Sequence, residues 1–513
     1  MKKYIIILFV LAFAFPAFAQ ESGNQDVKEL IILHWNDFHS RNMPYKVNKK
    51  DSTGAQTQIY VGGTASMLGY LNKYRDDKSL VLNGGDDYQG TPISSITRGY
   101  SQIELLNLYN LDAFVLGNHD FDYGMYTLDS ALKGANFPFL AANIAVKGTN
   151  KTFGKPYLVK EVNGIKIGII GVVPKDLMTL TLPKNVGDLT MLNTDSVIAA
   201  GITILKKENC NLIVLLSHNG VDRDRDFAEK FHKDIDVIIG GHSHSVIFKP
   251  EIVNGVIICQ AGSYGRDLGK LDLKVDITKD TVVKYFGKLY ETKLDSNIFD
   301  KPAMEKVEGM ISAIEPEMKK PIGKLLSDWK KSSLGQWEAD AIRDKLQTDI
   351  SFLNGGSIRK TMIAGDITVG DIWEINPFGN SMMKFSVSGK SIRKMLAYNL
   401  RSLSKIKDNP EYDNILVSGL YVELNSKEIT EDSGDFIKKI LVNGNPLDEN
   451  KQYTVSSNNY VVSQMKKYFG EIPDKIEAED TNILDRDLII EAVQKQKEIN
   501  SVFEKRIVDL SAE

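Results

Sequence analysis

From Leu30 to about Leu289 the chain repeats one pattern: a short, nearly unbroken apolar run, then a polar loop, then a mixed stretch of helical length. The runs are ELIILHW (29–35), SLVLNGG (79–85), AFVLGN (113–118), KIGIIGVV (166–173), LIVLLSH (212–218), the run ending at His242, and GVIICQAG (255–262). A strand with one wet face alternates apolar and polar residues, so unbroken runs predict strands buried on both faces, in sheets covered by helices or by a second sheet. The class is therefore α/β.

The pattern changes near residue 295. The stretch 295–330 is charged and helix-permissive, with Ile311, Ile314 and Met318 at helical spacing, and reads as a helical connector. Beyond it, residues 331–513 carry their own strand runs at 350–356, 381–389 and 453–457. Helical periodicity follows from Ser391 to Leu403 and from Asp487 to Glu498. The expected division is thus a domain over 26–294, a connector over 295–330, and a smaller α+β domain over 331–513, long enough for a core of its own.

The first residues stand apart from the fold. Lys2 and Lys3 precede an apolar run of 12 residues, Tyr4 to Phe15, then Pro16 and the small-x-small pattern Ala17-Phe18-Ala19. This reads as an export signal over residues 1–19, cut after Ala19, which places the protein in a periplasm or outside the cell with no stable membrane anchor once it is removed. Twelve helical residues cover about 18 Å of a roughly 30 Å hydrocarbon core, too little to span it. The oxidising route makes the cysteine count informative: Cys210 and Cys259 allow one bridge or two buried thiols, and exclude a disulfide-stapled fold. With 63 Lys and Arg against 67 Asp and Glu, the chain shows no basic footprint for a nucleic-acid polymer. Oligomeric state is not legible.

Histidine changes the picture most. There are seven, and none follows His244. Five of them fall in four of five loops rich in metal-ligand residue types, each loop directly after a strand run: Asn36 to His39, Gly85 to Asp87, Gly117 to Asp122, Ser217 to Gly220, and Gly240 to His244. The carboxyl ends of buried strands are where loops distant in sequence converge on one crevice. Aspartate and asparagine oxygens with several imidazoles, and no cysteine, suit two catalytic divalent ions (Zn, Mn, Co, Fe or Mg) rather than a structural zinc knot. A shared carboxylate would hold two ions about 3.5 to 4 Å apart for an in-line phosphoryl displacement. The other two histidines read otherwise: His34 as a packing or ligand-supporting residue, His232 as solvent-facing.

The blocks LHWNDFHS, GGDDYQG, GNHDFD, SHNG and GGHSH resemble the five blocks of calcineurin-like metallophosphoesterases, and in detail the secreted 5′-nucleotidase family. The resemblance extends through NGGSIR (354–359), GDITVGDIW (365–373), NPFGN (376–380) and YTVSSNNY (453–460). It implies an N-terminal calcineurin-like α/β sandwich with a dinuclear site. Asp37, His39, Asp86 and His244 would hold one metal, and Asp86, Asn118, His218 and His242 the other, with Asp86 bridging. It further implies that His119 faces the phosphate and that Asp122 orients its ring.

In the histidine-free half, the resemblance places Arg359 and Asn354 near the phosphate or ribose, with Phe378 and Tyr460 clasping the base. The alternative for each ring is a place in the domain core. SQMKKYFG (463–470) replaces the Gly-Gly-Asp-Gly-aromatic segment usual after Tyr460. The implied activity is a phosphohydrolase that takes the phosphate from small nucleoside 5′-monophosphates for scavenging. The alternatives are a 2′,3′-cyclic nucleotide phosphodiesterase, a UDP-sugar or nucleotide pyrophosphatase, or a non-catalytic nucleotide-binding surface protein.

Overall fold

The computed structural model describes residues 26–50, 56–149, 151–403, 415–430, 436–500 and 502–512. The export signal read in residues 1–19 lies outside them. Two six-stranded sheets face each other in the N-terminal half. The first runs in the order Thr281–Glu291, Asp267–Asp276, Val27–Trp35, Ser79–Asn83, Ala113–Val115, Phe139–Leu140. The second runs Glu251–Val253, Val256–Cys259, Val237–Ile239, Leu212–Ser217, Ile165–Val172, Tyr157–Val162. In the second sheet four inner strands are parallel and an antiparallel strand closes each edge; in the first, Val27–Trp35 to Phe139–Leu140 run parallel, and Asp267–Asp276 and Thr281–Glu291 add antiparallel pairings on one side.

The unbroken hydrophobicity has a direct cause. Along Val27–Trp35, Leu30 and Ile32 point into the space between the sheets and meet Ile167, Ile169, Val214 and Ile239. Leu33 and Trp35, on the opposite face, pack with Leu68 and Leu71 of helix Thr64–Tyr74 and Ile103 of helix Tyr100–Leu106. The second sheet does the same with Ile170, Ile213 and Ile238 beneath helices Thr194–Lys207 and Val221–Phe231. Both faces of each inner strand are dry, so a polar residue on either would leave a buried group without water. Cys210 and Cys259 are buried and unbridged.

The stretch expected as a wholly helical connector carries helices Lys301–Ser312 and Glu315–Met318 and then turns to strand. Pro321–Leu325 pairs with Gly365–Thr368 and Glu498–Ile499, so its final part belongs to the C-terminal fold. Pro316 sits near the start of its short helix and Pro321 at the start of the strand, where a missing N–H costs least.

The C-terminal half is built on a five-stranded sheet in the order Ile415–Ser418, Ile350–Asn354, Gln452–Asn458, Ser381–Ser388, Glu479–Leu484. Helices Gly389–Leu403 and Asp485–Gln496 form where the helical periodicity places them. Ile350–Asn354 and Gln452–Asn458 are parallel neighbours, so the chain leaves both at the same edge, toward the N-terminal half.

Candidate metal centre and substrate pocket

Strands Val27–Trp35, Ser79–Asn83, Ala113–Val115, Leu212–Ser217 and Val237–Ile239 each end in one of the five loops, and the loops are joined by their backbones. The Asp37 N–H donates to Gly85 O at 2.8 Å and the His39 N–H to Asp86 O at 2.9 Å. Across the sandwich, the His242 N–H donates to Asp37 Oδ2 at 2.9 Å and His218 Nδ1 to Gly84 O at 2.5 Å. Asp37, His39, Asp86, His242 and His244 all have left-handed backbone, with φ of 51°, 49°, 59°, 78° and 54°. Non-glycine residues adopt this only when the surroundings over-determine it, and such strain concentrates at functional sites.

Six side chains gather there in two groups of three. Asp37, His39 and His244 bring ligand atoms within 4.8 Å of one another, as do Asp86, His218 and His242. The two groups adjoin: Asp37 Oδ1 lies 3.3 Å from His244 Nε2 and 3.8 Å from His218 Nε2. His39 Nδ1 faces Gln89 O, and His218 Nδ1 faces Gly84 O. A proton held on each Nδ1 leaves each Nε2 as a bare lone pair.

His39 Nε2 lies 3.2 Å from His244 Nε2 and 3.0 Å from the Arg359 guanidinium, whereas the His218 lone pair faces another acceptor, Asp86 Oδ2, at 3.0 Å, and Asn118 Oδ1 is buried with no partner among the described residues. Acceptor against acceptor in a dry site calls for a cation between them. Gly117 keeps the space open, since a Cβ there would fall 2.2 Å from Asp86 Oδ1 and 2.7 Å from His218 Nε2. Burial disfavours a charged His218, yet Asp86 and Asp37 outweigh it and push the imidazole up to about 10, so without an ion a proton on Nε2 takes the place a cation would fill. The residues therefore fit divalent ions, and when bound those ions would polarise a phosphoryl oxygen and lower the pKa of a water toward neutrality.

His119 leaves the same edge. Its N–H donates to Asp86 Oδ1 at 2.8 Å and its Nδ1 lies 2.7 Å from Asp122 Oδ2. Burial alone would lower its pKa, but the Asp122 and Asp86 carboxylates prevail and raise it above the ordinary imidazole value. Asp122 thus both orients the ring and favours a proton on it.

Sequence reasoning missed the residues that bind the loops into one body. Asp120 accepts from the N–H groups of Gly117, Asp86 and Tyr88 at 2.7, 3.1 and 3.1 Å. Asp87 accepts from Trp35 Nε1, Asn83 Nδ2 and the Phe38 N–H at 3.1, 2.7 and 3.1 Å. Gln260 Nε2 donates to Gly241 O at 2.9 Å while its Oε1 accepts from the Ser245 N–H at 2.5 Å. Burial pushes Asp87 up to about 8 and Asp120 up to about 7. The doubled aspartate of GGDD and the aspartate after His119 were the available signals; Gln260 had none.

A cavity of about 310 Å³ between the two halves adjoins this centre. Asp86, Asn118, His119, Asp122, His242 and His244 line one side, and Asn354, Arg359, Phe378 and Tyr460 the other. Arg359 Nη2 lies 3.0 Å from His39 Nε2, the Phe378 ring centre 5.6 Å from that of His119, and the Tyr460 hydroxyl donates to Thr179 O at 3.3 Å. Lys467 and Tyr468, from the segment that departs from the family pattern, also line the cavity. Of the two remaining histidines, His34 is buried against Gly269 and His232 is exposed.

Both halves of the chain are similar to known proteins. The model of the calcineurin-like phosphoesterase family matches residues 30–246, and that of the 5′-nucleotidase C-terminal domain matches residues 319–471. The 5′-nucleotidase of Vibrio cholerae is 26% identical over 90% of this chain and 91% of its own. Endonuclease YhcR of Bacillus subtilis is 27% identical over 86% of this chain, which spans 38% of that protein. Among solved structures, the 5′-nucleotidase precursor of Thermus thermophilus superposes with a TM-score of 0.83 at 26% identity, covering 94% of this chain and 99% of that one.

Proposed function

The chain belongs to the 5′-nucleotidase family, a metal-dependent phosphoester hydrolase with a calcineurin-like domain and a nucleotidase C-terminal domain, and on that basis we propose that it releases phosphate from nucleoside 5′-monophosphates. The observation that carries this reading is one cavity faced by both candidate metal clusters, by the His119–Asp122 pair, and by Arg359, Phe378 and Tyr460.

In this reading Asp37, His39, Asp86 and His244 would hold one ion, and Asp86, Asn118, His218 and His242 would hold the other. Arg359, beside His39, takes a phosphate oxygen as a charge-assisted donor. His119, its Nδ1 bound to Asp122, presents Nε2 to the phosphate and hands a proton to the departing 5′-oxygen. Phe378 and Tyr460 stack on the base, which holds any base with little discrimination.

Purified protein supplied with Mn, Co or Zn should release phosphate from AMP and stop on chelation; inactivity with every metal would overturn the proposal. Running 2′,3′-cyclic AMP and UDP-glucose beside AMP decides among the three phosphohydrolase readings by relative kcat/KM. Export to a periplasm or beyond the cell is proposed from residues 1–19, and an N-terminus beginning at Gln20 in the secreted protein would establish it. No helix among the described residues is long and apolar enough to cross a membrane.

A further inference from the structure

Outside the catalytic cavity, a network of charged side chains spans the boundary between the two halves, and its centre is Glu374. One oxygen, Oε2, is shared by Arg41 Nη2 at 3.2 Å and Lys360 Nζ at 3.0 Å. Arg41 lies two residues beyond His39, in the loop that carries two candidate metal ligands, and its guanidinium sits over the rings of Tyr45 and Tyr264 at 4.6 and 4.9 Å. Lys360 follows Arg359 and reaches Asp371 at 2.9 Å as well.

Glu374 stands in the last turn of helix Val369–Ile375. That helix is fixed at its start by a capping box between Thr368 and Asp371, and at its end it accepts the Arg359 N–H on Ile375 O at 2.8 Å. The next three residues are Asn376, Pro377 and Phe378. One short helix therefore sets the backbone of Arg359 and the starting point of Phe378, while its side-chain contact with Arg41 fixes it against the metal loop. Tyr264 strengthens the junction by donating its hydroxyl to Arg359 O at 3.4 Å.

We propose that Glu374 is the positioning residue that aligns the nucleotide-binding side of the cavity with the metal centre, through Arg41 on one side and Lys360 on the other. The carboxylate lies outside the lining of the catalytic cavity, so it acts through Arg359 and Phe378. Arg41 and Lys360 are themselves held, by two aromatic rings and by Asp371, which lets the shared oxygen transmit position rather than merely neutralise charge. Small displacements of substrate-holding groups cost far more in the use of a large substrate than in bare phosphoester chemistry. This inference rests on the nucleotidase reading.

The test compares AMP with p-nitrophenyl phosphate, a phosphomonoester with no nucleoside. For Glu374→Gln in the metal-loaded full chain, the KM for AMP rises about tenfold with kcat changed less than about threefold, while p-nitrophenyl phosphate, which meets Arg359 but brings no nucleoside to the Phe378 side, loses less than about threefold in kcat/KM. Arg41→Met reproduces the effect, and the Arg41→Met, Glu374→Gln double variant is no worse than either single one. Unaltered AMP kinetics, equal losses on both substrates, or additive effects would overturn the proposal. A parent enzyme active on p-nitrophenyl phosphate but inert on AMP would instead overturn the nucleotidase reading beneath it. Should Glu374→Gln fail to fold, Arg41→Met alone carries the comparison.

Discussion

On the candidate metal side of the cavity the backbone itself is fixed: five candidate ligand positions sit in left-handed conformation, and Asp87 and Asp120 each accept three hydrogen bonds from the surrounding loops and strand ends. The opposite side is held differently. Arg359 and Phe378 come from separate loops and Tyr460 from the short helix Asn459–Ser463, and this side reaches the N-terminal half through a handful of side-chain contacts, among them Arg41 to Glu374 and Tyr460 to Thr179. Each construction suits the task proposed for it. Ions and a phosphate need ligand positions fixed to a fraction of an ångström, whereas a nucleoside must enter and leave, so its contacts have to be separable.

A strike at the centre of the rigid side should do the most damage. Asp86→Ala removes the carboxylate facing His218 and bonded to the His119 N–H, and kcat/KM for AMP should fall by about 10³ or more as bound metal drops below that of the parent, read by elemental analysis. Retention of full metal content and activity would show that the orphaned acceptors are not ligands. His119→Ala comes next. The loss of kcat should be about 10² to 10⁴ with metal content intact, the size expected for removing a general acid. Undiminished turnover would take the proton donor elsewhere.

The sequence disclosed the two sides unequally, and for physical reasons. The inner strands were legible because both faces of each are dry, so Leu30 and Leu33 are apolar for different neighbours but with the same outcome. The ligand loops were legible because imidazole is scarce in this chain and its chemistry narrow. Left-handed backbone at Asp37 or His242 was not, since only glycine announces it in a sequence. Nor was strand Pro321–Leu325, which forms because two distant segments, Gly365–Thr368 and Glu498–Ile499, arrive to pair with it. Phe378 and Tyr460 could be picked out only by resemblance, because an aromatic residue beside a turn is as often core as surface.

Phe378 tests whether the separable side acts on the nucleoside at all. Phe378→Ala should raise KM for AMP about tenfold, the scale of one lost base stack, and Phe378→Tyr should restore it. An equal loss with ribose 5-phosphate, which has no base, would place the ring in the fold rather than on the substrate.

The smallest effect concerns what supports that ring. The loop from Asn376 to Asn380 leans on Asp485, which donates its N–H to Asn380 O at 2.9 Å and whose carboxyl is buried near Glu338. Burial pushes Asp485 up to about 6 from an ordinary 3.8, and burial together with Asp485 raises Glu338 well above its usual range. A carboxyl whose pKa is raised by folding binds its proton more tightly in the folded chain. Its contribution is then most favourable below about pH 4, and stability falls as pH rises from there to about 6, by up to about 3 kcal/mol for Asp485. Asp485→Asn removes the penalty and keeps the acceptor that takes the Arg486 N–H at 2.7 Å. The variant should therefore resist urea better than the parent at pH 8 and about equally at pH 4. A shift of the same size at both values would mean that packing, not the buried charge, decides how firmly the Phe378 loop is held.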